Sequence, residues 1–143
     1  MTANKFKYTK SIRIWLSIGL LMLIGQVVIG GITRLTGSGL SITKWDIITG
    51  VIPPLNAEEW VNEFELYKET PQFHKINSTF TIQDFKFIYF WEYFHRLWVR
   101  SLGFVFLIPF IIFVIKKQLD FYLIKRLGIV ILLYCHLYYY NKL

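Results

Sequence analysis

The chain has one cysteine, Cys135, so it cannot form an internal disulfide, and cysteine usage says little about its redox compartment. Charge is also scarce. Charged residues make up 17% of the chain, against about 25% in soluble domains, while 55% is hydrophobic and 19% aromatic. There is no P-loop, no dinucleotide glycine fingerprint, no zinc-ligand spacing and no nucleophile elbow. These absences leave a membrane protein as the class the composition favours. With 143 residues there is room for one domain, or for three to four spans. A net charge of +7 raises the question of nucleic acid, which would require a basic, polar surface. Here the bases flank apolar runs instead, so no nucleic-acid partner is expected, and membrane lipid is.

The placement of charge supplies a topology. Lys5, Lys7, Lys10 and Arg13 precede the first apolar run with no acid among them. Ile14 to Ile32 is 19 residues without a charge, about 28 Å of helix, close to a hydrocarbon core of about 30 Å. A signal peptide would have a shorter apolar region followed by small residues at a cleavage site. The run is therefore read as a retained span, about 14–32, with the N-terminus cytoplasmic. An outer loop follows over 33–81, where Asp46, Glu58, Glu59, Glu63, Glu65 and Glu69 outnumber the bases. Asn56 and Glu59 have capping-box spacing, and Trp60, Phe64 and Tyr67 fall at i, i+4 and i+7. That pattern predicts a short amphipathic helix lying on the membrane surface, or else packed on the loop itself. Thr81 and Asp84 mark the start of a second span over about 82–115, with Pro109 a candidate kink and Lys116-Lys117 at the inner end. A partial third span is expected over about 124–140, with Cys135 a small buried hydrophobe within it. The fold class expected is an all-α membrane protein, an incomplete transmembrane helix bundle forming a single membrane domain over 1–143.

The stretch FWEYFHRLWVR, Phe90 to Arg100, places Glu92, His95, Arg96 and Arg100 inside one apolar run. Ionisable groups are expensive at membrane depth, so they mark a candidate site. Glu92 and His95 are three residues apart and share a helix face, which Val99 and Leu102 or Gly103 continue as a flat apolar strip. An imidazole above such a strip suits an axial ligand of a haem. Arg96 and Arg100 suit porphyrin propionates, because a guanidinium matches a carboxylate with its donor fork. The plainer alternatives stay open: Arg96 pairs with Glu92 at i, i+4, and arginines near helix ends snorkel to headgroups. His136 reaches a depth similar to that of His95, so a bis-histidine pair is geometrically allowed.

Three segments carry a resemblance. GGITRLTGSGLSITKWDIITGVIPPLNAEEW, EFELYKETPQFHKIN and FKFIYFWEYFHRLWVRSLGFVFLIPF together resemble haem A synthase of the mitochondrial and proteobacterial branch, closely over about Ile29 to Lys117. The resemblance implies a membrane oxidoreductase of cytochrome oxidase assembly that converts the methyl group of haem O into the formyl group of haem A and also carries haem b. It implies that His95 is an axial ligand to haem iron in the substrate half, that Glu92 is a carboxylate needed for activity, and that Arg34 contacts a propionate. It gives His136 no ligand role. It places the chain in a bacterial plasma membrane, or in the mitochondrial inner membrane if the source is eukaryotic. Members of the family resemble two four-helix halves, so a chain ending at NKL is expected to be truncated within the third helix. Its partners would be haem, lipid and the missing C-terminal half or other membrane subunits, with the electron donor unspecified. A fragment of this kind holds no haem if the pocket needs the missing helices. The competing readings are a small non-catalytic haem-binding membrane protein and an inactive remnant.

Overall fold

The computed structural model describes residues 8–43 and 52–140. Lys5, Lys7, the loop around Gly50 and the side chain of Cys135 lie outside that description. Five α-helices follow in order: α1 (Lys10–Leu35), α2 (Ala57–Lys68), α3 (Pro71–Lys75), α4 (Ile82–Ile115) and α5 (Phe121–Tyr140), with a 3-10 turn at Ser38–Leu40. There is no strand among the described residues. Helices α1 and α4 are each long and apolar enough to cross a membrane. The chain is thus an all-α membrane protein, the fold class its composition implies.

Local chemistry sets the helix ends. The Thr9 hydroxyl accepts from the Ile12 N–H at 3.4 Å at the start of α1. At the other end the Thr36 hydroxyl donates to the Ile32 carbonyl at 2.8 Å, and Gly37 turns the chain at φ 64°, a left-handed conformation that glycine adopts without strain. The Asn56 side chain accepts from the Glu59 N–H at 2.8 Å, and the Glu59 carboxylate reaches back to Asn56 and to the Leu55 N–H. Thr81 and Asp84 make the equivalent reciprocal cap on α4. The start of α4 is the capping-box exchange, and α2 uses a variant in which the carboxylate takes the Leu55 N–H, one residue before the cap.

Two compact units divide the chain. The larger, Leu20–Gly103, holds the second half of α1, the loop helices α2 and α3, and the first part of α4. Its core joins Phe64 and Tyr67 of α2 to Phe85, Ile88 and Tyr89 of α4, with Trp60 edge-on to Tyr89 at 5.0 Å. The apolar face of α2 therefore covers α4 instead of lying on a membrane surface, which corrects the first of the two sequence-based expectations. Length supplies the reason. At 34 residues α4 is about 51 Å long, well beyond a hydrocarbon core of about 30 Å, so it has apolar turns to spare for packing against another helix. Deeper in this unit α1 and α4 run antiparallel, with Gly25 against Trp98 and Gly30 against His95. The Trp98 indole donates to the Met22 carbonyl at 3.0 Å.

The smaller unit combines the start of α1 with the end of α4 and α5. Ile12, Trp15 and Leu119 are buried in it, and Trp15 packs on Phe106 and Phe113 with ring centroids 5.0 and 5.3 Å apart. Its indole donates to the Val105 carbonyl at 3.2 Å. Helix α4 continues through Pro109. Asp120 accepts from the Leu123 N–H at 3.1 Å, starting α5, and from the Tyr8 hydroxyl at 3.2 Å. His136 is exposed on α5.

Candidate functional site

Glu92 is 4% exposed, and its carboxylate is fully engaged. One oxygen accepts from the Ser41 hydroxyl at 2.6 Å and from the Ile42 N–H at 2.8 Å. The other is paired with the Arg96 guanidinium one turn along α4. Arg96 also donates to the Ile42 carbonyl at 3.3 Å. Two charged side chains of α4 thus hold both backbone polar groups of Ile42 and the hydroxyl of Ser41. A charge-assisted set of this kind compensates the loss of water around a buried ion pair.

The segment so held is built to be held. Ser38 and Ser41 are fully buried, and the Ser38 hydroxyl bonds to Thr36. Short hydroxyl side chains let the turn lie flat against α4 while satisfying their own polarity. Gln72 of α3 donates its side-chain amide to the Gly37 carbonyl, tying the same turn to the loop helices. Below α2, the buried Tyr67 hydroxyl accepts from the Asn77 amide at 2.7 Å. Burial raises the Tyr67 pKa, the Asn77 hydrogen bond opposes that, and the charge of Glu92 adds to the rise.

His95 faces α1, not Glu92. Its Nε2 lies 2.6 Å from the side-chain amide nitrogen of Gln26 and 3.6 Å from where a Cβ on Gly30 would stand. A Cβ there would sit in ordinary van der Waals contact with the ring, so the imidazole packs directly on the α1 backbone. Along α4 from His95, a Cβ on Gly103 would meet nothing within 4 Å, so that part of the strip is open. Arg100 is partly buried one turn beyond Arg96, while Arg34 is exposed. Arg34 lines an open cleft of about 350 Å³ with Thr33, Gly37, Gly39, Leu40 and Gln72.

The sequence-derived residues are therefore brought together unequally. Glu92 and Arg96 form one unit, as the plainer of the two readings of Arg96 has it. His95 has a partner, Gln26, that was not singled out, although it is the sole side-chain amide in the uncharged run of α1. Ser41 and Ile42 were also missed. The short hydroxyl residues of SGLS were the available signal, but their contact is long-range and leaves no spacing to read.

Fold and site define a class: a helical membrane protein in which a buried carboxylate–guanidinium pair on one long helix holds the Ser41–Ile42 backbone, with an imidazole of the same helix turned to α1. The sequence matches COX15-CtaA, described as cytochrome oxidase assembly protein, over residues 13–136, and the chain belongs to that family. It is 49% identical over 127 residues to the heme A synthase of Flavobacterium psychrophilum, covering 87% of this chain and 38% of the relative. It is 47% identical over 131 residues to the heme A synthase of Rhizobium rhizogenes, covering 92% and 36%. With heme A synthase COX15 of Saccharomyces cerevisiae it shares 45% over 124 residues, covering 87% and 26%. The chain thus spans less than two fifths of the length of these relatives. No solved structure matches it.

Proposed function

We propose that this chain forms a haem-handling half-site of a haem A synthase, in which the methyl group of haem O is oxidised to the formyl group of haem A. The observation that carries the reading is the turn Glu92–Arg96, in a chain of this family. On one stretch of α4 it combines an imidazole set against α1 with two charged residues that hold the Ser41–Ile42 backbone. The residues fit the group. His95 presents a ring nitrogen beside the α1 backbone at Gly30, and the strip at Gly103 is unfilled. Bound haem would supply the iron-centred oxidising chemistry.

The chain's own residues bind and orient. His95 offers its imidazole nitrogen to iron. Arg34, exposed in its cleft, offers a guanidinium to a propionate carboxylate, and Arg100 is a second candidate for that role. Arg96 is committed to Glu92 and Ile42, so its part is to position the loop. Glu92 acts the same way: with both oxygens hydrogen-bonded it anchors residues 41–42 and keeps water out. By the distribution of Lys and Arg, the N-terminus faces the cytoplasm, or the matrix if the source is mitochondrial, and the Glu92 turn lies toward the opposite side. The reaction also requires a haem b site and an electron donor.

The test is spectroscopic. The chain is purified in detergent with haem supplied, and its visible spectrum is recorded beside that of His95→Ala. A Soret band that disappears on substitution supports the half-site; identical haem-free spectra from both proteins reject it.

A further inference from the structure

Gln26 is the residue the proposed function leaves unused, and its placement is specific. It is the one side-chain amide in a run of α1 that carries no charge from Ile14 to Ile32. A polar amide at membrane depth needs a partner, because lipid provides none. Its nitrogen has one, His95 Nε2 at 2.6 Å. Its oxygen, Oε1, is buried and without a hydrogen-bond partner. An amide nitrogen can only donate, so the ring nitrogen it meets must accept. The imidazole is thereby held with its proton on Nδ1 and its lone pair on Nε2. That is the protonation state in which Nε2 can bind a metal, since a ligating nitrogen must offer a lone pair.

We propose that Gln26 is a positioning residue for His95, and that it acts as a placeholder on the ring's ligating nitrogen. It selects the Nδ1–H tautomer in the empty site and leaves Nε2 when iron takes that lone pair. The inference rests on the reading of His95 as a haem ligand for its second half only; the tautomer selection stands on the Gln26 amide being placed with its nitrogen toward the ring, which the first measurement below decides. Two observations support displacement. The Gln26 amide is half-satisfied, so moving it sacrifices one hydrogen bond and not two. The place it would vacate borders Gly30, where no side chain blocks the ring.

Two measurements on the full chain in detergent test it. In the first, histidine is labelled with nitrogen-15, and the His95 ring signals are assigned by their loss in His95→Ala. The wild-type protein should show Nε2 unprotonated and Nδ1 protonated. Gln26→Met, similar in length and apolar, should shift the ring toward the Nε2–H tautomer. An Nε2-protonated wild-type ring, or a tautomer unchanged in Gln26→Met, overturns the proposal. Tryptophan fluorescence like that of wild type shows that the variant is folded; if Gln26→Met misfolds, Gln26→Leu takes its place. In the second measurement, haemin uptake is followed at the Soret band. Gln26→Met should bind roughly fivefold faster, the factor set by one net hydrogen bond. Slower uptake than wild type overturns the placeholder role. If His95→Ala takes up haemin as the wild type does, the ligand reading and the displacement step fall, while the first measurement still decides the tautomer role.

Discussion

Gly25 and Gly31 lie on the same helix and tolerate opposite changes. A Cβ on Gly25 would come 2.8 Å from the Trp98 ring, which is itself held by its bond to the Met22 carbonyl. Gly25→Ala should therefore destabilise the larger unit by about 1–3 kcal/mol, as overpacking does. Gly31→Ala meets nothing within 4 Å and should be neutral or slightly stabilising, because alanine loses less entropy in a helix. Thermal denaturation of the two variants in one detergent checks the contrast; equal losses would contradict the Trp98 contact. Glu92→Gln is the second residue-scale case. It keeps the shape and an acceptor for Ser41 and Ile42 but removes the charge facing Arg96. Breaking a buried pair is worth about 3 kcal/mol, and it should also loosen the clamped turn. Lower thermal stability together with faster proteolytic cleavage around residues 38–42 is the expected result. Sequence spacing made the Glu92–Arg96 pair legible, since i, i+4 residues meet on any helix. Spacing cannot show a partner fifty residues away, so Ser41 and Ile42 stayed hidden.

Among the elements, α2 depends on its cap and on one buried phenol. Asn56→Ala removes the acceptor of the Glu59 N–H and should cost about 1 kcal/mol. The Tyr67 hydroxyl is neutral in the fold, and burial raises its pKa above the ordinary value of about 10. A raised folded value means the unfolded chain gives up this proton first as pH climbs. The stability it contributes is complete below about pH 10 and declines as pH rises toward and through the folded value. Tyr67→Phe should remove that part of the alkaline loss, while lowering stability at neutral pH by leaving the Asn77 amide unpaired. Denaturant melts at pH 8 and above about pH 10, wild type beside variant, measure both effects. The amphipathic face of α2 was readable from Trp60, Phe64 and Tyr67. Its partner was not, because a period of 3.6 states which face is apolar and says nothing about what covers it.

For the whole molecule, the governing fact is a long apolar helix whose two ends differ in company. The start of α4 carries Asp84 in its exposed first turn, and Lys116 and Lys117 follow its end. Positive residues stay on the cytoplasmic side, so the ends should lie on opposite sides of a bilayer. In a Cys135→Ser background, Gln83→Cys should react with an impermeant maleimide added outside intact cells. Gln118→Cys should react only after the membrane is opened. Labelling of both from outside would refute the orientation. Gln83 and Gln118 are both exposed, so accessibility of the thiol itself does not limit the readout.

Composition and periodicity alone determined that this is a helical membrane protein, and the GG-TRLT-SGLS and E-x-x-H-R segments pointed to its family. These are local properties: apolar runs, caps and i, i+4 neighbours follow from the order of residues along one helix. Only the tertiary structure decided that Glu92 clasps Ser41 and Ile42, that α2 covers α4, and that Gln26 meets His95. Each of those contacts joins residues distant in the chain, and its geometry is set by how the elements pack, a quantity no single stretch of sequence contains.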